Sequence, residues 1–241
     1  MDLTVVATYN VHVSASDADT LADLRALLAE ADILVVQEVP SAGKKAVIAR
    51  VQDETGVKVV YSPGRAEDAI IWHPNKVLMK AKGAAVLSDP TAVGNPGVTI
   101  RTKYLTWCRF RLRGTLTHFP VGVVHLVPKP HVDPRREALL KLEVHNLATA
   151  LLDLGFKKPL IGGDYNVDYD DPWLSPLRDI GMLNAHRVLG ELNTFPASAP
   201  DRSFDQWWFR PPTQTGFRPL EHHTFAGASD HLGVVVSFAV Q

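Results

Sequence analysis

Short runs of aliphatic and β-branched residues alternate with polar segments that contain Gly and Pro along most of the chain. Continuous or alternating apolar runs of this kind are typical of strands. They are LTVVATYNV, ILVVQEV, VKVVYSP, DAIIWHP, KVLMKAKGAAVL, YLTWCRFRLRG, FPVGVVHLVP, PLIGGDYN, SFDQWWFRP and HLGVVVSFAV. We expect YLTWCRFRLRG and FPVGVVHLVP to pair as a hairpin.

Leucines at helical spacing predict a first helix in DADTLADLRALLAEA, with Asp19 or Thr20 as its N-cap. KKAVIARVQDETG predicts a second helix that ends at Gly56. Asp133 and Pro134 form a favoured pair of N-cap and first helical residue, and they open a long helix through REALLKLEVHNLATALLDLG. A shorter helix is expected near WLSPLRDIGM.

Strand runs outnumber helices, although helices separate some of the strands. This mixture predicts two packed sheets flanked by helices. The chain has 241 residues, of which 46% are hydrophobic and 21% charged, a balance that supports a sizeable core. We expect one domain over residues 1–241. The net charge is -1, so the basic surplus typical of a tight non-specific duplex binder is absent.

Cys108 is the only cysteine, which excludes an internal disulfide and fits a reducing compartment. MDLTVVATYN lacks the basic region of a signal peptide. No apolar stretch approaches the roughly 18 residues that a membrane helix needs. We therefore expect a cytoplasmic protein that does not bind a membrane. Neither composition nor motif indicates an oligomeric state.

Polar side chains recur at or near the ends of several apolar strands. Any one of them has a structural explanation, because Asp and Asn make turns and a single His is usually a hydrogen-bonded structural residue. An acid among aromatic residues, as in SFDQWWF, is costly unless it is paired. The residues concerned are Asn10, Glu38, His125, Asp164, Asn166, Asp205, Asp230 and His231.

The side-chain types in this set are chemically complementary. Its carboxylates are hard oxygen ligands suited to Mg²⁺ or Mn²⁺. Its asparagines can bind a metal or donate to an anionic oxygen, and its histidines can donate to phosphate or move a proton. Together they predict a site that cleaves phosphoesters, in which a metal neutralises oxyanion charge and an acid–base group activates water.

The ordered series TYN, VQE, VVH, GGDYN, SFDQ and SDH resembles the endonuclease/exonuclease/phosphatase superfamily, from Asn10 to His231. That group includes deoxyribonuclease-I-like enzymes, apurinic/apyrimidinic endonucleases, neutral sphingomyelinases and inositol-polyphosphate 5-phosphatases. The resemblance implies a four-layer α/β sandwich, with two central mixed, mainly antiparallel β-sheets flanked by helices. It also implies a divalent cation, Mg²⁺ or Mn²⁺, and a site at one edge of the sandwich.

The resemblance assigns the metal and the water to the acidic positions. Glu38 would be the principal metal ligand, supported by Asn10 and Asp230. Asp164 would position or deprotonate the attacking water.

The remaining positions would bind the phosphate. Asn166 and His125 would hold the scissile group, and His231 would contact a phosphate oxygen or act as the acid–base group. Asp205 would accept the other ring proton of His231, which fixes the imidazole tautomer. Apurinic/apyrimidinic endonucleases carry Tyr where this chain has His125, which argues against that branch.

Two further signals concern substrate binding. Arg109 lies in an alternating run that would place three arginines on one face of a strand. They could bind a polyanion, or they could protect an edge strand by charge. Trp173, in a loop soon after GDYN, is the best candidate for stacking on a base. His12 and Cys108 carry no functional case.

We therefore predict a divalent-metal-dependent phosphoester hydrolase, a nuclease acting on DNA or RNA. One alternative is a phosphomonoesterase or phosphodiesterase acting on small molecules or on inositol or lipid head groups. Another is a non-catalytic binding protein that retains the fold. A metallophosphatase of another fold would need an acid at its first strand, which TYNVH lacks.

Overall fold

The computed structural model describes residues 2–39, 41–64, 67–92, 99–211 and 217–240. Two six-stranded sheets lie at its centre. Helices cover the outer face of each sheet, and the site described below lies where strand ends from both sheets meet.

The first sheet has the strand order β13-β14-β1-β2-β4-β3. β1 and β2 are parallel, and the other neighbouring pairs are antiparallel. Its strands are β1 (Asp2–Asn10), β2 (Ile33–Gln37), β3 (Lys58–Tyr61), β4 (Ala69–Trp72), β13 (Phe217–Phe225) and β14 (Gly233–Val240).

The second sheet has the strand order β11-β12-β10-β9-β8-β5. Only β9 and β10 run parallel, so this sheet is also mixed and mainly antiparallel. Its strands are β5 (Val77–Ser88), β8 (Lys103–Leu112), β9 (His118–His125), β10 (Leu160–Asp164), β11 (Leu183–Asn184) and β12 (Asp205–Phe209), and β6 (Thr91–Ala92) and β7 (Thr99–Ile100) form a separate pair.

Five α-helices are assigned in the described part of the chain. None of its helices is long and apolar enough to span a bilayer. The helices are α1 (Asp17–Glu30), α2 (Ala42–Thr55), α3 (Pro134–Asp153), α4 (Ser175–Asp179) and α5 (Ala185–Leu189), and 3-10 helices cover Pro130–Val132 and Pro172–Leu174.

The helix termini follow local capping chemistry, and one prediction was wrong. The N-cap of α1 is Ser16, whose hydroxyl accepts the Asp19 N–H at 3.1 Å, so Asp19 belongs to the first turn. Gly56 does end α2, in the left-handed conformation. Asp133 does cap α3 and is followed by Pro134. Ser is a favoured N-cap residue, so the sequence itself contains the signal for this cap.

Three apolar layers connect the sheets and helices into a four-layer sandwich, as predicted. Phe110 and Trp207 belong to the layer between the two sheets. Leu24 of α1 lies in the layer between the first sheet and helices α1 and α2. Leu140 and Leu147 of α3 pack against the outer face of the second sheet.

β8 is an interior strand, so the explanation of Arg109 as protection for an edge strand is wrong. β8 pairs with β5 on one side and with β9 on the other. Arg109 is exposed on the face of the sheet rather than at its edge.

Strand direction determines which residues lie at the functional edge. β1, β2, β9 and β10 end there, at Asn10, Gln37, His125 and Asp164. Their antiparallel neighbours β4, β8, β12 and β14 begin at the same edge. The segments that precede these four strands therefore also contribute side chains to the site.

Candidate active site

Asp164 occupies the last position of β10, between the two neighbouring strands. It lies opposite His125 in the parallel pairing with β9 and opposite Asp205 in the antiparallel pairing with β12. Gly163 immediately precedes it with φ +152°, and a Cβ there would approach the Val124 carbonyl oxygen to 2.0 Å. The strand can therefore lie this close to β9 only with glycine at position 163.

The carboxylate of Asp164 is the centre of a buried polar cluster. Its Oδ2 lies 3.1 Å from Asn10 Nδ2, 3.7 Å from His125 Nε2 and 3.9 Å from His231 Nε2. Its Oδ1 accepts the Asn166 backbone N–H at 2.8 Å. Burial raises the pKa of Asp164 to about 7, so the carboxyl is poised to exchange a proton near neutral pH.

His231 is bracketed by two carboxylates. Its Nδ1 donates to Asp205 Oδ2 at 2.8 Å, and its Nε2 is turned toward Asp164. Burial lowers the pKa of His231, but the two carboxylates outweigh it and raise the pKa to about 10. At neutral pH His231 is therefore an imidazolium, able to donate from Nε2. Asp205 is fully buried, and this ion pair is the reason that an acid is tolerated there.

His125 has the opposite electrostatic setting. Burial lowers its pKa well below the usual value, and the positive charges of Lys103 and His231 add to the effect. The ring is therefore neutral at pH 7. Its Nδ1 has no hydrogen-bond partner among the described residues and lies 3.8 Å from Glu67 Oε2. Glu67 was not predicted as a site residue.

Glu38 follows β2 with a left-handed backbone, at φ +60°. Its Oε1 lies 3.2 Å from Asn10 Nδ2, and its Oε2 accepts the Val13 N–H at 2.8 Å. The Oδ1 of Asn10 accepts the His12 N–H at 3.0 Å. In this arrangement Asn10 turns its nitrogen, not its oxygen, toward the carboxylates. To act as a metal ligand, Asn10 would have to rotate its side-chain amide so that the oxygen faces the carboxylates.

Asp230 lies at the open side of the cluster, with 44% of its side chain exposed. Its Oδ1 is 3.6 Å from His12 Nδ1. His12, which the sequence argument set aside, therefore contacts one of the predicted metal ligands.

The oxygen donors suit a hard divalent cation. Glu38 and Asp164 both lie within 3.2 Å of the Asn10 amide nitrogen, so two carboxylates converge on one small volume. Within the described ranges no group of three or more His, Cys, Asp or Glu side chains encloses a metal position. An open set of carboxylates fits Mg²⁺ or Mn²⁺, since Mg²⁺ usually keeps several waters and takes one or two protein carboxylates.

Asn166 is held by the chain that surrounds it. It has a left-handed backbone, at φ +55°, and its Nδ2 donates to the Leu126 carbonyl oxygen at 3.1 Å. Its second amide N–H is the one that a phosphate could accept.

A cavity of about 640 Å³ opens over these groups. The predicted residues that line it are Glu38, His125, Asp164, Asn166, Asp230 and His231. The further charged and aromatic residues that line it, none of which was predicted as a site residue, are Glu67, Arg101, Lys103, Lys129, His131, Phe195, Arg202 and Phe204.

Of the four predicted substrate-binding residues, His125 and Asn166 line this cavity, whereas Arg109 and Trp173 do not. Arg109 pairs with Pro120, five positions before His125 on β9, and is remote from the strand ends. The Trp173 ring is stacked on His131 at 4.9 Å, and Lys141 Nζ lies 5.3 Å from its centre. Trp173 therefore supports His131, which does line the cavity.

Three of the charged residues that were not predicted lie at the starts of strands rather than at their C-terminal ends. Glu67 precedes β4, Lys103 begins β8, and Arg202 precedes β12. Each lies at the start of a strand that runs antiparallel to a neighbour ending at the site. A charged residue at the start of an apolar strand is therefore the sequence signal that could have identified them.

The chain belongs to the Endonuclease/Exonuclease/phosphatase family, whose characteristic sequence pattern matches residues 7–231. Membership of this family, together with the site, supports phosphoester hydrolysis without naming a substrate. Among curated proteins none matches this sequence.

Several solved structures share the fold. A mannosyl-6-phosphatase from Bacteroides thetaiotaomicron has 17% identity and a TM-score of 0.72, covering 98% of this chain and 99% of its own. D. rerio TDP2 complexed with a single-strand DNA product has 16% identity and a TM-score of 0.72, with full coverage of both chains. ANGEL2, a 2′,3′-cyclic phosphatase in complex with adenosine-2′,3′-vanadate, has 14% identity and a TM-score of 0.76, covering 99% of this chain and 96% of its own.

Proposed function

We propose that this protein is a divalent-metal-dependent phosphodiesterase that cleaves DNA or RNA by attack of water on phosphorus. The observation that carries the proposal is the convergence on Asp164. A neutral imidazole, an imidazolium and an amide all lie within 3.9 Å of its Oδ2. Hydrolysis of a phosphoester needs these groups together: a base that activates water, donors to the phosphoryl oxygens and a proton for the leaving group.

Metal binding is assigned to Glu38 and Asp230, with Asn10 joining them once its amide is rotated. A bound Mg²⁺ or Mn²⁺ would stabilise the negative charge that builds up on the phosphoryl oxygens. The fit rests on the hard oxygen donors at the mouth of the cluster.

Asp164 is assigned the role of activating the attacking water. Its buried carboxylate takes the proton as water attacks, and the Asn166 N–H and the Asn10 amide hold it in place. Its raised pKa makes it a stronger base than an exposed aspartate.

The phosphate is assigned to Asn166, His125 and His231. His231 donates from Nε2 to a phosphoryl or leaving oxygen, while Asp205 holds its Nδ1 proton. His125 is neutral and adds a hydrogen bond without adding charge. Asn166 contributes its second amide N–H.

Nucleic acid is favoured as the substrate by the cations in the cavity wall. Arg101, Lys103, Lys129 and Arg202 all line the cavity, although the whole chain has a net charge of -1. TDP2, which shares the fold, was solved with a single-strand DNA product. The same wall carries four carboxylates, so its cations form local phosphate contacts rather than a broad basic surface, which fits an end or a single strand better than a long duplex.

A small phosphoester is the second candidate. The cavity, at about 640 Å³, is of the size that small-ligand pockets have. The mannosyl-6-phosphatase with the same fold is named for a small substrate.

A substrate screen separates these candidates. The protein is incubated with Mg²⁺ or Mn²⁺ and with plasmid, single-stranded DNA, RNA, mononucleotides and sugar phosphates, and Asp164→Asn serves as the blank. We expect cleavage of a polymer by the wild type and at least about a hundredfold less by the variant. Release of phosphate from small molecules alone would contradict the nuclease assignment. Metal binding without turnover of any substrate would favour a non-catalytic protein.

A further inference from the structure

Four side chains form a continuous series of contacts along one wall of the cavity, which we call the aromatic column: Arg202, Phe204, Phe195 and His231. The guanidinium of Arg202 lies 5.2 Å from the centre of the Phe204 ring. The rings of Phe204 and Phe195 are stacked at 5.3 Å with an interplanar angle of 15°. The centre of the Phe195 ring lies 4.7 Å from that of the His231 imidazole, with the two planes tilted by 46°. The column therefore runs from a cation directly to a proposed catalytic group.

Backbone hydrogen bonds fix the aromatic column relative to the reacting groups. Thr194 N–H donates to the Arg202 carbonyl at 2.6 Å, which closes a hairpin. The Leu232 N–H donates to the Thr194 carbonyl at 2.7 Å, and the Ala197 N–H donates to the Asp230 carbonyl at 2.7 Å. The hairpin is thus held against the segment that carries Asp230 and His231, and it presents a preformed surface.

The outer end of the column is anchored by an ion pair. Arg202 Nε lies 2.8 Å from Asp168 Oδ2, and Asp168 Oδ1 accepts the Ser203 N–H at 2.8 Å. The Arg202 side chain is 38% exposed. The guanidinium is a planar cation whose face stacks on other π systems, and orienting it in advance lowers the entropic cost of that stacking.

The column is not simply part of the hydrophobic core. Phe195 and Phe204 are half-buried and line the cavity, whereas Trp207 and Phe209 of the adjoining strand are at most 2% exposed. Phe204 packs against the Phe195 ring and the Arg202 guanidinium, and both Phe204 and Arg202 line the cavity with part of their surface accessible. Ring edges and guanidinium planes are surfaces that suit the face of a nucleobase.

We propose that the aromatic column binds a nucleobase, so that the substrate carries a nucleoside beside the scissile phosphate. This inference rests on the proposed function, because it takes the adjoining cluster as the phosphoester site. It goes beyond that function by assigning Arg202 and Phe204 as the residues that distinguish nucleotides from other phosphoesters.

Binding measurements test the inference without requiring turnover. The affinities of 2′-deoxyadenosine 5′-monophosphate, ribose 5-phosphate and methyl phosphate are measured by calorimetry in the presence of Mg²⁺. We expect the wild type to bind the nucleotide about tenfold more tightly than either base-free ligand, the scale of one base–aromatic stack. Arg202→Lys keeps the charge and loses the plane, and Phe204→Leu keeps apolar bulk and loses the ring. Each variant should lose the preference for the nucleotide while binding methyl phosphate as the wild type does.

The controls keep the result interpretable. Arg218→Lys, on the exposed face of β13, should leave all three affinities unchanged. Equal affinities of the wild type for the three ligands would overturn the inference. So would an equal loss for all three ligands in the Arg202 and Phe204 variants, because that would indicate a structural role alone.

Catalysis is measured in parallel so that the two proposals can fail separately. Thymidine 5′-(p-nitrophenyl) phosphate and methyl p-nitrophenyl phosphate share the scissile bond and differ in the nucleoside. Cleavage of both at the same kcat/KM would overturn the nucleobase site and leave the phosphodiesterase intact. Preferential nucleotide binding without cleavage of any phosphoester would support the nucleobase site and contradict the proposed function.

Discussion

His231 stands between two buried carboxylates, and its charge is set by which of them is present. Asp205 binds Nδ1 at 2.8 Å, and Asp164 lies 3.9 Å from Nε2. Burial alone favours the neutral ring, so the imidazolium exists because of these neighbours. His125, buried without such a hydrogen bond, is neutral. Two histidines in one site therefore have different chemistry for reasons that lie in their contacts.

Replacement of Asp205 by Asn tests this assignment. The change removes the carboxylate that does most to raise the pKa of His231, so the imidazolium loses its proton at lower pH. We expect kcat to fall and its alkaline limb to move down by about 1–3 pH units. The measurement is the pH dependence of kcat with Mg²⁺ present. Asp201→Asn, at an exposed position on the hairpin, is the matched control, and an unmoved alkaline limb in Asp205→Asn would contradict the assignment.

Asp68 is another buried carboxylate, adjacent to Glu67, and its pKa differs between the folded and the unfolded state. Burial raises its pKa from 3.8 to about 7, against an opposing effect of Lys103. Its Oδ1 has no hydrogen-bond partner among the described residues. The folded state therefore binds this proton more tightly than the unfolded state, and stability is lost as pH rises from about 4 to about 7.

The Asp68→Asn variant has no ionisable group at this position, so its stability lacks this dependence on pH. Its free energy of unfolding, relative to that of the wild type, should rise by up to about 4 kcal/mol between pH 4 and pH 7. Urea unfolding across this range, in a chelating buffer, measures the difference. A difference that does not change with pH would show that the carboxylate is not desolvated as described.

At the level of strands and helices, periodicity predicted the elements and strand ends predicted much of the site. Asn10, Glu38, His125 and Asp164 were identified because they end apolar runs. The starts of antiparallel strands could not be predicted as site positions, since the direction of each strand in its sheet is not visible in a linear pattern. For this reason Glu67, Lys103 and Arg202 were not predicted. β13 was missed as well, because polar residues interrupt its alternation on an edge strand.

The approach of β10 to β9 depends on Gly163. A Cβ at this position would lie 2.0 Å from the Val124 carbonyl oxygen, and the backbone has φ +152°. We expect Gly163→Ala to destabilise the fold by at least about 3 kcal/mol and to displace Asp164. Thermal and urea unfolding measure the loss.

Gly155 provides the comparison for this substitution. Its φ is +61°, and an added Cβ there would meet nothing within 4 Å. Gly155→Ala should therefore cost only the left-handed strain, about 1–2 kcal/mol. Equal losses for the two variants would show that the close strand approach at Gly163 is not a constraint.

At the scale of the molecule, the site exists because two sheets bring their strand ends together. Asn10 and Glu38 come from the first sheet, and His125, Asp164 and Asp205 from the second. The order of the motifs along the chain was enough to predict this sandwich and its family. The residues of the cavity wall could not be predicted from the sequence. Phe195, Arg202 and Phe204 form one surface only after the hairpin folds against the segment that contains Asp230.

The central claim is metal-assisted hydrolysis of a phosphoester at Glu38 and Asp164. The most direct test measures the hydrolysis rate of the best substrate as Mg²⁺ or Mn²⁺ is added back to protein treated with EDTA, for the wild type and for Glu38→Gln. We predict that chelation abolishes activity, that the cation restores it in the wild type, and that Glu38→Gln stays at least about a hundredfold slower at saturating metal. Activity that persists in EDTA, or a Glu38→Gln variant with the wild-type rate and metal dependence, would contradict the account.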